Sequence, residues 1–271
     1  MDAHLGKKNT TCWVGYKVAL TETCESDSPN LITHVATTTA PVADGAVTPH
    51  IHADLQRTDR LPETHIVDTG FLDAELIVTS KRDYDVDLLG PARPDVKWQA
   101  REGKGFDAQH FPIDWEHQQA CCPEGRTSVQ WTPAVDNRGN AVIKIRFSTK
   151  DCQACPSLGQ CVRSTKRSPR RLITVRPKDQ YEALRERRAR EKTAEYVREY
   201  NKRVGVEGTL SQGVRRCRMR RSRYIGLAKV HLGHLLTGAA LNFVRLGEWL
   251  VGTPRAQTRH SAFARLMAAA A

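Results

Sequence analysis

No run of apolar residues in this 271-residue chain reaches the roughly 20 needed to cross a bilayer. The longest, around Leu232 to Val244, includes His234 and Asn242 and is bordered by Lys229 and Arg245. A membrane span is therefore excluded, and a soluble protein is expected. No charged segment followed by an apolar one and a cleavage site opens the sequence, so nothing directs it to an oxidising compartment. A cytoplasmic location follows as the expectation, and the eight cysteines read as thiols or metal ligands before disulfides. No internal repeat is found.

Acidic residues are in deficit: 30 Asp and Glu stand against 42 Lys and Arg, for a net charge of +12. Such an excess favours a polyanionic partner through phosphate contacts and counterion release, with nucleic acid the first candidate. The 39% of apolar residues can furnish an ordinary buried core. The charge is also unevenly placed. From Arg163 to Lys229 there are 22 basic and 7 acidic residues, a net +15, which leaves the rest of the chain at −3. Solvated helix faces are the plain alternative; concentration in one region favours DNA.

What is present falls into three stretches. In the first hundred residues, Trp13 to Thr23 and Leu31 to Thr39 are rich in β-branched and aromatic residues and read as a hairpin across CESDSPN. A helical spacing from Val47 to Thr58 follows, then a short buried-type strand HIVDTGF (His65 to Phe71), a helix from Leu72 to Ser80 and a strand VDLLGP (Val86 to Pro91). That order predicts one mixed sheet flanked by helices. Residues 92–176 hold five of the eight cysteines, many turn residues and a clear strand at Asn140 to Ser148, and read as an insertion. From Pro177 to Val204 the chain has strong helix formers and no internal Gly or Pro, which predicts a continuous helix. A second helix is expected from Ile225 to Leu250, with Leu232, Leu235, Leu236, Ala239, Ala240, Phe243 and Leu246 as its core-facing stripe. The last residues, ending in MAAAA, read as a loose tail.

Three constellations can carry chemistry. Cys122 in CCPEG and Cys152, Cys155 and Cys161 in CQACPSLGQC suit tetrahedral thiolate coordination of a structural Zn2+, with Cys121 competing as first ligand and reduced half-buried thiols as the alternative. Tyr200, Arg203 and Glu207 lie at i, i+3 and i+7, so a continuous helix presents them on one face. There a carboxylate can hold a divalent metal while Arg and Tyr hold phosphate oxygens. Charged residues at this spacing also occur on nearly any exposed helix. Asp68 closes a strand, where α/β sheets gather catalytic groups, or else caps the helix that follows.

Taken together, WVGYKVALTETC, HIVDTGFLDAELIVTS, CCPEG, CQACPSLGQC, YNKRVGVEGTLSQG and RRSRYIGLAKVHLGHLLTGAALNFVRL resemble transposases of the DDE superfamily of bacterial insertion sequences, over about residues 8 to 250. The resemblance implies an RNase H-like core in which two aspartates and a glutamate bind two Mg2+ ions that activate water or a DNA 3′-hydroxyl for attack on a phosphodiester. It makes Asp68 the second aspartate and Glu207 the glutamate, with Tyr200 and Arg203 matching the family's Y-x2-R-x3-E signature. Where many relatives carry a basic residue seven positions beyond the glutamate, this chain has Val214 followed by Arg215. Arg215, Arg216, Arg220 and Arg221 are the expected phosphate contacts.

The family's first strand, bearing the first aspartate, precedes the hairpin, whereas here the hairpin begins within about a dozen residues of Met1. Asp2 sits in MDAHLGKKNTT, which has no apolar run to make a strand. The expectation is a core lacking its first strand, from a truncated, interrupted or frameshifted gene, that does not catalyse transposition alone. The expected divisions are residues 1–91 (partial core), 92–176 (cysteine-rich, Zn-ribbon-like insertion), 177–250 (helical region completing the core) and 251–271 (flexible tail). Expected partners are double-stranded DNA, both transposon ends and target, and another copy or a full-length transposase, in association with the nucleoid. The competing expectation is a non-catalytic Zn-containing DNA-binding or regulatory protein derived from a transposase.

Overall fold

The structure is a computed structural model that describes residues 3–8, 10–163 and 168–254; Asp2 and the expected tail from residue 255 onward lie outside the described residues. In chain order the elements are β1 (His4–Lys8), β2 (Thr11–Glu22), β3 (Ile32–Thr39), α1 (Thr48–Arg57), β4 (Thr64–Ile66), α2 (Ala74–Tyr84) and β5 (Asp87–Leu89). Next come α3 (Trp98–Glu102), β6 (Ile113–Asp114), β7 (Gln119–Ala120), β8 (Gln130–Val135), β9 (Ala141–Arg146), α4 (Thr149–Gln153), α5 (Leu158–Cys161) and β10 (Leu172–Val175). The chain continues with α6 (Lys178–Arg190), α7 (Ala194–Asn201), α8 (Val204–Cys217) and α9 (Leu227–Leu250). It divides into two units, one formed by residues 1–42 and 202–271 and the other by residues 43–201.

The first unit is built on the expected hairpin. β2 pairs antiparallel with β3 from Tyr16↔Thr39 to Glu22↔Ile32, with a bulge between Thr21 and Glu22. The opening residues depart from the expectation: HLGKK forms β1, paired antiparallel with β2 from His4↔Gly15. An edge strand needs only a neighbouring backbone ladder, so a segment with two lysines and no apolar run can still pair. β1 carries no carboxylate.

Helix α9 packs on the hairpin around Ile32, Val35 and Leu241, with Val18 and Leu20 against them. The apolar stripe expected to face the core does not: Leu236 is 63% and Phe243 76% exposed, and Leu232, Leu235, Ala239, Ala240 and Leu246 are exposed with them. The face turned to the hairpin runs through Val230, His234, Gly238, Leu241 and Asn242. Its polar members are satisfied there. Asn242 accepts from the Ile32 N–H at 2.8 Å and donates to the Ile32 carbonyl at 2.9 Å, while His234 Nδ1 lies 2.8 Å from the Thr37 hydroxyl. A periodicity of hydrophobicity alone selected the wrong face because hydrogen-bonding side chains hold the right one.

The second unit opens with α1 and continues with a β-α-β element: β4 and β5 are parallel, with α2 between them in sequence, around a core of Val67, Leu72, Leu76 and Leu88. The β-strands of the first hundred residues thus fall into two sheets, β1-β2-β3 and β4-β5, rather than the single mixed sheet expected. β10, β9 and β8 form an antiparallel sheet in that order. One face packs Ile145, Ile173 and Val175 against Phe111 and Phe147; the expected strand at Asn140 to Ser148 is its middle member.

The continuous helix expected from Pro177 to Val204 is broken after Arg190. The Thr193 hydroxyl donates to the Arg190 carbonyl and accepts from the Tyr196 N–H, ending α6 and capping α7. Glu191, in the break, accepts a hydrogen bond from the Ala92 N–H at 2.7 Å.

Candidate functional site

In the second unit, β4 delivers Asp68 to its carboxyl end. The Val67 N–H donates to the Leu89 carbonyl at 2.8 Å, extending the β4–β5 ladder by one bond, and Asp68 turns out of it. An exposed carboxylate results, one of whose oxygens accepts from the Thr69 N–H at 2.7 Å at the head of a single 3-10 turn, Thr69–Phe71. Asp68 therefore makes the capping contact weighed from the sequence, though for this turn; Asp73 caps α2 through the Leu76 N–H. Gly90 holds the strand end in place, since a β-carbon there would lie 2.7 Å from the Val67 carbonyl oxygen.

Tyr200, Arg203 and Glu207 do not share one helix. Tyr200 lies near the end of α7, in the second unit, stacked on Tyr196 with ring centroids 5.7 Å apart. Arg203 immediately precedes α8 and Glu207 occupies its first turn, both in the first unit. Arg203 pairs with Glu207 at 3.1 Å; the Glu207 side chain is 68% exposed. A carboxylate in the first turn is favoured by the helix dipole.

Helix α8 is fixed by contacts on its opposite side. Thr209, buried, donates its hydroxyl to the Glu22 carboxylate, and Arg245 pairs with Glu22 at 3.0 Å while donating to the Asn30 carbonyl at 2.6 Å. Gly205 permits the close approach, since a β-carbon would meet Asn30 Nδ2 at 2.8 Å and Glu22 Oε1 at 3.2 Å. Residues two apart on a helix point to nearly opposite sides, so anchoring Thr209 inward presents Glu207 outward. Glu22, Thr209 and Arg245 were not singled out from the sequence. Glu22 and Arg245 are polar residues inside elements read as apolar, which is the signal that could have found them.

Arg215 and Arg216 close α8, and Arg220 and Arg221 follow in the loop; all four are exposed. Their placement allows phosphate contact, and for the first pair also a favourable interaction with the helix C-terminus.

The four candidate ligand cysteines lie in two segments of the second unit, the turn at Cys122 and the α4–α5 segment. Around Cys122, the Gly125 N–H donates to the Cys122 carbonyl at 2.8 Å and the Arg126 N–H reaches Cys122 Sγ at 3.3 Å. Cys152 lies in α4, its Sγ accepting from the Arg171 N–H at 3.5 Å, and Cys161 ends α5. Ser157 donates to Glu124 at 2.6 Å, joining the two segments. Cys122, Cys152 and Cys161 all pack on the Phe111–Phe147 core. Burial pushes the Cys161 thiol up to about 11, and Cys155, Cys122 and Cys152 add to the rise against Arg171. Every described cysteine is a thiol. Among the described residues no group of three or more His, Cys, Asp or Glu side chains that could hold a metal ion is found.

A mixed α/β protein emerges, with exposed carboxylates at a strand end and a helix start and with arginines clustered along its C-terminal helical region. Residues 121–247 match the family model described as Transposase DDE domain, which supports a transposase of the DDE superfamily over that segment. The matched segment contains Tyr200, Arg203, Glu207, the four arginines and the four cysteines; Asp68 precedes it. That family implies DNA as the partner and Mg2+ as its usual metal. No curated protein and no solved structure matches the chain significantly. No helix among the described residues is long and apolar enough to cross a membrane.

Proposed function

We propose that the chain is a DNA-binding transposase of the DDE class, working at insertion-sequence ends, in which Asp68 and Glu207 are the carboxylates that hold Mg2+. The observation that carries this reading is Glu207 itself: it stands exposed on an anchored helix, beside Arg203, inside the segment that matches the transposase family. Hard carboxylate oxygens are the donors Mg2+ prefers, and when bound it would neutralise charge on the phosphodiester. The chain's own part is to present Glu207 outward, to offer Arg203 and Tyr200 to phosphate oxygens, and to lay Arg215, Arg216, Arg220 and Arg221 along the DNA backbone. The RNase H-like arrangement is part of the same proposal, supported by the hairpin and by the parallel β4–β5 pair with Asp68 at its carboxyl end.

Cys122, Cys152, Cys155 and Cys161 are proposed as a structural Zn2+ site within residues 92–176, read as an insertion. Support comes from their spacing, from N–H donors to two of the sulfurs, and from the common core on which three of them pack. Metal analysis of the purified protein should find about one Zn per chain, and finding none removes the site.

The test of the main reading compares duplex DNA binding and phosphodiester cleavage with and without Mg2+. Glu207→Gln and Asp68→Asn should each abolish the Mg2+-dependent part and leave Mg2+-independent binding intact. If both variants keep every readout unchanged, the chain is a non-catalytic DNA-binding protein and the carboxylate assignment falls.

A further inference from the structure

The second unit contains a cleft of about 670 Å3 between the β8-β9-β10 sheet and helices α2 and α6. The sheet is two-faced. Ile145, Ile173 and Val175 turn to the Phe111–Phe147 core, while Val142, Lys144, Thr174 and Arg176 line the cleft, as the alternation of side chains along a strand requires. Five cations line it in all: Arg93, Arg138, Lys144, Arg176 and Arg188.

The two acids in the lining, Asp73 and Asp136, are already engaged. Asp73 accepts from the Leu76 N–H at 2.9 Å. Asp136 accepts from Asn140 Nδ2 at 2.9 Å and from the Arg138 N–H at 2.8 Å, and the Asn140 bonds hold its carboxyl below the usual range. Among the described residues none of the five cations is ion-paired with a carboxylate; Arg188 and Arg176 donate to the Arg93 and Ala141 carbonyls at 3.4 and 3.5 Å. The cleft therefore concentrates positive charge between walls that already satisfy its negative groups, which focuses field toward an anion.

We propose that this cleft is a second DNA site, gripping the phosphodiester backbone of duplex DNA independently of the arginines that follow α8. Guanidinium groups and an ammonium converging from sheet and helix suit successive phosphates and read no base, so the contact positions the duplex without selecting sequence. Its wall at Leu72 to Ala74 begins four residues beyond Asp68, which ties the site to the carboxylate at the β4 end. The inference rests on the DNA-binding reading above and adds to it a surface shared by the β8-β9-β10 sheet and helices α2 and α6.

The test measures the affinity of the full chain for a random-sequence duplex as a function of KCl. Arg93→Gln, Arg138→Gln and Lys144→Gln combined should flatten the slope of log K against log salt by about 2 to 3 units, at about 0.9 for each phosphate no longer neutralised. The combined Gln variant of Arg215, Arg216, Arg220 and Arg221 should retain that portion. A slope unchanged by the cleft variant and abolished by the helical one overturns the cleft while leaving DNA binding standing; a wild-type chain that binds no duplex overturns both. As a readout that needs no variant, saturating duplex should protect Lys144 of the wild-type chain from acetylation. Equal labelling with and without duplex overturns the proposal, as does equal protection by inorganic phosphate at the same phosphate concentration.

Discussion

Glu22 and Arg245 lie 223 residues apart in sequence and form an ion pair 3.0 Å long, with their side chains 5% and 14% exposed. The pair ties β2 to α9, and Thr209 joins α8 to it through the same carboxylate oxygen. Glu207 depends on this network for its orientation.

Removing the cation from a buried pair leaves an uncompensated carboxylate. Arg245→Met is therefore expected to cost about 3–5 kcal/mol, and Thr209→Val, which strips one hydrogen bond from the same carboxylate, about 1–2 kcal/mol. Urea denaturation of the full chain checks both; an Arg245→Met transition coincident with wild type would show that the pair does not secure the unit.

Gly90→Ala places a methyl group 2.7 Å from the Val67 carbonyl oxygen and 3.1 Å from Val67 Cγ2. Backbone cannot swing away as a side chain can, so the strand end beside Asp68 must shift, at a cost of about 1–3 kcal/mol. The expected outcome is a lowered thermal midpoint together with a weakened Mg2+-dependent DNA interaction. Unchanged values in both would show that the strand end yields without consequence.

His52 is fully buried, 3.0 Å from His65 through Nε2 and Nδ1, and burial holds its pKa below the ordinary value. Because the folded state resists protonation, the unfolded chain binds the proton first as pH falls. Stability is complete above about pH 6.5 and declines below it until the folded-state pKa is reached, at up to about 1.4 kcal/mol per pH unit. Thermal melts between pH 7.5 and 5 should show this slope in wild type and a shallower one in His52→Leu. Identical slopes would remove His52 as the cause.

Where local chemistry decides structure, the sequence was readable. The hairpin, α1, α2, the strands β4 and β5 taken singly and the break-free run of α9 follow from β-branched patterning, turn residues and helical spacing, which act over a few residues. Asp68 at a strand end, Glu207 on a helical segment and the cysteine spacing were all legible as candidates. What escaped was the break at Thr193, made by a side chain competing with the backbone; the pairing of HLGKK, which depends on a neighbour rather than on its own residues; and the buried face of α9.

The sequence by itself determined the resemblance to DDE transposases, the basic character of the C-terminal half and the identity of the candidate carboxylates and thiols, because motif and charge are properties of the chain as written. Only the tertiary structure decided that α7 and α8 divide Tyr200 from Glu207, that Glu22, Thr209 and Arg245 hold Glu207 outward, and that five cations scattered from Arg93 to Arg188 line one cleft. Those facts join residues separated by tens to hundreds of positions, and contacts at that range arise when the elements carrying them pack together.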